Sequence, residues 1–398
     1  MRNSVTSVNQ RGLQARHESR ILIRVGLAMA ALTAALSTSA ASPPALPPDQ
    51  EAAARLLTIG GEGFQIRETD HYTLAYDTPY EALRPLIGRL EGTYDAIWRF
   101  CEASDLEVKP PGSRLEVLLF ARYEDFSEYL AGIGLRAGSV AGAYDPRTNV
   151  SAFCHVESSP GLAQITGQME QVQKRLKRLN GQRSGSPARQ RREHLQQHLS
   201  KLRLQRDALT KKFNRLVIQH EAAHQMLFNI GVHVRGADNP LWLTEGMACQ
   251  FEVPQAGSTR PMRRINHLRL ADFRDALGAS PDVKSISEEV YEEALASRRL
   301  VPLVDLITDD ELFTGQERDV VFRYAQAWAL VYYLHHRNRE EFVTYLRRLG
   351  TRKPGEHVAR QREIEEFESA FGKPDEAFQR RWITYMLELR FDRREAGR

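Results

Sequence analysis

Apolar and polar positions alternate through "GFQIRETDHYTLAYDT", which predicts one or two strands. The next stretch, "PYEALRPLIGRLEGTYDAIWRFCEA", spaces its apolar residues by three and four and predicts a helix. A further strand, "RLEVLLFA", leads into a short helix, "YEDFSEYLAG". In "AGAYDPRTNVSAFCHV" two strand-like runs flank the turn formers Asp145 to Asn149. Residues 59–160 are therefore expected to form a small α/β unit that ends in a hairpin.

The period then changes. Leu162, Ile165, Met169, Val172, Leu176 and Leu179 step by three and four, the spacing of a coiled-coil seam, until "NGQRSGSP" breaks the helix. A similar stripe resumes near Ala188 with Leu195, Leu199, Leu202, Leu209, Phe213 and Leu216. Residues 161–215 are expected to fold back as an antiparallel helical hairpin. No Gly or Pro separates Ala188 from Asn229, so the second arm is expected to continue as a helix of roughly 60 Å. Beyond Ala248 the pattern is mainly helical: "HLRLADFRDAL", "SEEVYEEALAS", "VPLVDLI", "YAQAWALVYYLHH", "REEFVTYLRRLG" and a closing "SAFGKPDEAFQRRWITYMLEL".

At the N-terminus, Arg11, Arg16, Arg20 and Arg24 precede the small-residue apolar run "VGLAMAALTAALSTSAAS". Residues 1–41 read as an export signal cleaved near Ala40 or Ala41, followed by a proline-rich linker over 42–58. An uncleaved anchor is the alternative, although so many Ala, Ser and Thr residues make the run weakly apolar. The expected location is outside the cytoplasm, periplasmic or extracellular. Three cysteines (Cys101, Cys154 and Cys249) are too few and too scattered for a disulfide framework.

Charge is unevenly placed. Residues 161–215 carry 14 Lys and Arg against three acids, about +11, which leaves the rest of the chain near −7 although the net is +4. A solvated outer face explains this better than nucleic-acid binding, because the hairpin lacks interleaved aromatics for base stacking. No nucleic-acid partner is expected, and no membrane contact beyond an uncleaved N-terminal anchor. The partner of the basic hairpin is left open.

The chemistry concentrates in "HEAAHQMLFNIGVHVRGADNPLWLTEGMA", His220 to Ala248. On a helix, His220 and His224 sit one turn apart on one face and can present two imidazoles to one ion. Glu221 is rotated about 100° from His220, placed to reach a water rather than the metal. Glu245 lies among Leu241, Trp242, Leu243, Met247 and Ala248, where a charged carboxylate is costly unless a cation meets it. Pro240 marks the start of the second helix. One Zn2+ held by His220, His224 and Glu245, with Glu221 as general base, is the expected site.

"HEAAHQ" followed by "LWLTEGMA" resembles the gluzincin metallopeptidases, and within them the peptidase-MA-like group, which includes exported bacterial domains of unassigned function. The resemblance implies an α+β fold: a small N-terminal α/β sheet unit, the hairpin of 161–215 as a coiled-coil insertion, and residues 216–398 as the active-site helix and a mainly helical C-terminal half. It assigns the zinc ligands and the base to the four residues above. It also places "AGAYDPRTN" as an edge strand, with Gly142 to Tyr144 available to an extended peptide. Nothing matches the Gly-Ala-Met-Glu-Asn motif of the aminopeptidase branch, and Cys249 stands where thermolysin-like enzymes carry an acid four residues after the ligand glutamate. Tyr324 is a candidate for oxyanion stabilisation, equally readable as a buried tyrosine.

The expected function is a zinc-dependent peptidase, by default an endopeptidase, acting on a peptide or protein substrate. The alternative is a catalytically silent binding or scaffold protein of the same fold that uses its basic hairpin for partner contact. Hydrolysis of a non-peptide amide in an envelope polymer shares the metal chemistry and differs only in the cleft.

Overall fold

The computed structural model describes residues 43–135, 140–180, 185–253, 262–314 and 317–395. The export signal expected over 1–41 lies outside these residues. The linker expected over 42–58 is not wholly a linker: Gln50–Gly60 is a helix, α1. Asp49 starts it by accepting hydrogen bonds from the backbone N–H groups of Glu51 and Ala52, at 2.9 and 3.2 Å. Only Ala52 and Leu56 of α1 are buried, too small a stripe for its period to stand out.

Five strands follow the expected runs: β1 (Gln65–Glu68), β2 (Tyr72–Tyr76), β3 (Leu115–Phe120), β4 (Gly142–Asp145) and β5 (Val150–Cys154). They form one sheet in the order β1-β2-β3-β5-β4. β2, β3 and β5 run parallel, and each outer strand is antiparallel to its neighbour. The two-residue period divides the side chains between two cores. Leu74, Val117, Leu119 and Phe153 face the core shared with α2 (Tyr80–Ala103), while Leu118, Phe120 and Ala152 face Leu56 of α1 and Phe126 and Leu130 of α3 (Tyr123–Gly132). Helices cover both faces, which is why the inner parallel strands read as nearly continuous apolar runs.

Two long helices, α4 (Pro160–Asn180) and α5 (Ser186–Phe213), pack antiparallel. Met169 and Val172 meet Leu199 and Leu202 in a small core of their own, with Ile165, Leu176 and Leu195 half-buried beside it. These seven residues all belong to the two stripes expected from the spacing. α5 does not stop at Phe213: a π-helical turn, Asn214–Ile218, joins it to α6 (Gln219–Asn229), so one helical rod runs from the tip of the pair to the His220 motif.

The remaining helices are α7 (Leu241–Phe251), α8 (His267–Ala276), α9 (Glu288–Ala296), α10 (Leu303–Thr308), α11 (Glu317–Arg337), α12 (Arg339–Leu349), α13 (Arg360–Phe371) and α14 (Glu376–Glu388). The closing "SAFGKPDEAFQRRWITYMLEL" spans two of them. Gly372 ends α13 with φ +92°, and the Asp375 carboxylate caps α14 by accepting from Phe378 N–H at 2.9 Å. α11 is the buried spine, with Ala325 and the run Ala327 to Leu334 inside the core. The fold is mixed α+β, mostly helical, with one small sheet. Among the described residues no helix is long and apolar enough to cross a membrane. All three cysteines are buried and free.

Candidate metal centre

α6 carries the first two donors. It takes its start from the preceding helical turn rather than from a capping side chain, so His220 stands in unbroken helix. The Nε2 atoms of His220 and His224 are 3.0 Å apart, with the rings nearly perpendicular. α7 begins at Leu241, whose N–H donates to Asp310, and brings Glu245 across from the other side. Glu245 Oε2 lies 3.0 Å from His220 Nε2 and 3.3 Å from His224 Nε2. Zinc bonds of about 2.0–2.1 Å at tetrahedral angles separate neighbouring donors by about 3.3–3.4 Å, so this triangle is slightly tighter than one face of such a site. Two imidazoles and a carboxylate are also the donor types zinc accepts.

Charge is shared within the triangle. Burial works against a protonated His220, but its hydrogen bonds with Cys249, Glu245 and Glu252 raise its pKa well above the usual value. Burial likewise opposes an ionised Glu245, yet the neighbouring His224 and His220 hold its carboxyl well below the ordinary range. A buried carboxylate and two imidazoles gathered in this way are groups that could hold a metal ion.

Gly246, next to Glu245, accounts for the Glu-Gly pair. A Cβ there would lie 2.5 Å from the Ala327 carbonyl oxygen and 2.6 Å from Val331, so only glycine lets α7 approach α11 this closely.

Glu221 points the other way, toward β4. Its Oε2 accepts a 2.8 Å hydrogen bond from Tyr144 N–H. Burial raises its pKa above the ordinary carboxylate value, with His220 and His224 pulling it back. β4 is an edge strand. The Ala141 and Asp145 carbonyls bond to Cys154 and Asn149 N–H on the β5 side, which leaves the main-chain groups of Gly142 and Tyr144 directed away from the sheet, toward α6.

Gln225 anchors α6 to the sheet. Its amide donates to the Glu116 and Asn149 carbonyls at 2.9 and 3.1 Å, and its oxygen accepts from Ser151 at 3.0 Å. Tyr324, the oxyanion candidate from the sequence, stacks on His220 with ring centroids 5.8 Å apart. The Glu245 charge and then burial hold its phenol protonated far into the alkaline range. A cleft of about 900 Å³ lies at the C-terminal end of α6, lined in part by Phe228, His233 and Arg235. Phe228 joins it to the site, its ring 5.8 Å from Tyr144 and 5.2 Å from His233.

The residue that sequence reasoning missed is Glu252. Fully buried just past α7, it sits 3.1 Å from His220 Nδ1. Its carboxylate is held by Arg269 at 2.6 and 3.0 Å and by the Asn266 amide at 2.8 Å. His220, Cys249 and Glu252 also place ligand atoms within 4.8 Å of one another. There, however, the Arg269 guanidinium already supplies the cation, whereas no Lys or Arg side chain is hydrogen-bonded to Glu245 among the described residues. Glu252 comes seven residues after Glu245, two turns along the same side of the helix, and that spacing was the available signal. Nearby, Cys249 approaches His220 Nδ1 at 4.0 Å, while Asn229 donates to the Asn149 side chain and Asp238 accepts from Val358 N–H.

Residues 216–356 match the model of a family described as "Protein of unknown function (DUF1570)", a stretch that begins in the π-helical turn and contains every residue of the donor triangle. No curated protein and no solved structure matches the chain.

Proposed function

We propose that the protein is a zinc-dependent peptidase of the gluzincin type, with His220, His224 and Glu245 as ligands of one Zn2+ and Glu221 as general base. The observation that carries this reading is the convergence of three donors from α6 and α7 into a triangle of 3.0, 3.0 and 3.3 Å. A zinc ion held there would polarise a peptide carbonyl and lower the pKa of water toward 7.

The chain's own groups account for the rest. Glu221, aimed by Tyr144 N–H and made more basic by burial, takes the proton of the attacking water and returns it to the departing amine. On the outer side of β4 the Tyr144 N–H is taken by Glu221, so an extended peptide would pair there through the Gly142 main chain and the Tyr144 carbonyl, beside that carboxylate. Pairing along a strand edge engages the main chain rather than a terminus, which favours endopeptidase action. Tyr324, protonated and stacked on His220, would donate to the oxygen that gains charge. Action outside the cytoplasm rests on the N-terminal run.

Metal analysis and a peptide-library digest of wild type, Glu221→Gln and Glu245→Ala test the reading together. Wild type should carry one zinc and cleave. Glu221→Gln should keep the metal and lose roughly 10²–10⁴-fold in turnover, and Glu245→Ala should lose the metal. Wild type that binds zinc and cleaves nothing would favour the silent binding protein instead.

A further inference from the structure

We propose that the tip of the α4–α5 pair binds the phosphate headgroups of anionic phospholipids, docking the protein peripherally on a membrane surface. A cleft of about 760 Å³ lies between the two helices at that end, lined by Arg175, Arg178 and Leu179 of α4 and Arg191, His194 and Leu195 of α5. Three arginines line one space with no acidic residue in its lining. None of the three has an ion-pair partner among the described residues, and the nearby Glu193 is taken by Arg189 at 3.1 Å. Like charges gathered in this way repel one another until an anion joins them. Guanidiniums offer the paired N–H donors that match phosphate oxygens, and the leucines beneath suit the hydrocarbon to which a headgroup is attached.

Position selects the lipid surface. α5 is 28 residues long, so the cleft stands about 40 Å along the rod from the metal centre. A cationic tip on such an arm can meet a flat anionic surface while the peptidase body stays clear of it. Residues 160–212 contain no Phe, Tyr or Trp, so there is no platform on which bases of a nucleic acid would stack. A peripheral contact also needs no spanning helix. The proposal is independent of the peptidase reading.

The test is flotation of the full chain with vesicles of phosphatidylcholine containing phosphatidylglycerol, beside phosphatidylcholine alone. Retention should require the anionic lipid and fall with salt. The triple variant Arg175→Gln, Arg178→Gln, Arg191→Gln should bind roughly 100-fold more weakly, since each cation near an anionic surface contributes about fivefold. Its melting temperature and zinc content should be unchanged. A control with equal charge loss elsewhere, Lys373→Gln, Arg381→Gln, Arg390→Gln, should bind as wild type. Equal retention on neutral vesicles would overturn the proposal. So would equal loss in both triple variants, or binding of duplex DNA or inorganic phosphate without vesicle retention.

Discussion

Glu252 grips His220 from the side opposite Glu245: its Oε1 lies 3.1 Å from Nδ1, while Glu245 Oε2 lies 3.0 Å from Nε2. A ring that donates through Nδ1 to a carboxylate presents the lone pair of Nε2 to the ligand cluster. Glu252→Gln should therefore weaken zinc binding by about 10–100-fold, measured by competition with a chromophoric chelator. Unchanged affinity would mean that the pair is purely structural.

Gly246→Ala should destabilise the fold by about 1–3 kcal/mol, because the new methyl meets the α11 backbone at Ala327, which has no rotamer with which to yield. Urea unfolding would show it. If α7 shifts to relieve the clash, zinc affinity falls as well, because Glu245 is the adjacent residue.

Tyr324→Phe removes the hydroxyl and leaves the ring on His220. If that hydroxyl serves the reaction, turnover should fall by about 10²–10³-fold with zinc content intact. A structural tyrosine would instead lower the melting temperature and leave kcat nearly unchanged.

His335 lies between Phe100 and Phe342, and its Nδ1 has no hydrogen-bond partner. Burial, followed by repulsion from His336 and Arg339, pushes its pKa down to about 3, against about 6.5 in an unfolded chain. The unfolded chain thus accepts a proton that the folded chain refuses. Stability from this group is complete above about pH 6.5 and declines as pH falls toward 3, by about 1.4 kcal/mol per pH unit. His335→Leu should flatten that slope by one proton, read from urea unfolding at pH 7 and pH 5.

Much of the centre was legible because helical geometry is local. The i, i+4 spacing of His220 and His224 places both rings on one face whatever surrounds them, and a glutamate amid Leu241, Trp242 and Met247 needs a cation. The paired arms were legible for the same reason, since their three-to-four spacing is set by burial on one side, whereas the inner strands, covered on both faces, were legible as short continuous apolar runs. What could not be read depends on contacts distant in sequence. Glu252 acquires its place through Arg269 and Asn266, after an intervening segment. α1 escaped notice because only two of its residues face the sheet. The π-helical turn has no local marker such as Gly or Pro, although Val217 within it packs where a side chain on Gly142 would otherwise stand.

That turn joins the arm to the donors within one continuous helical strut. Force applied at the distal end reaches His220 through one hydrogen-bonded backbone, with no loop in between to absorb it. Whatever takes hold of the arm therefore also sets the tilt at which the groove beside His220 meets its surroundings. Lengthening the strut by whole turns would move the groove away from that anchorage without turning it, whereas adding a residue or two would swing it to face a new direction.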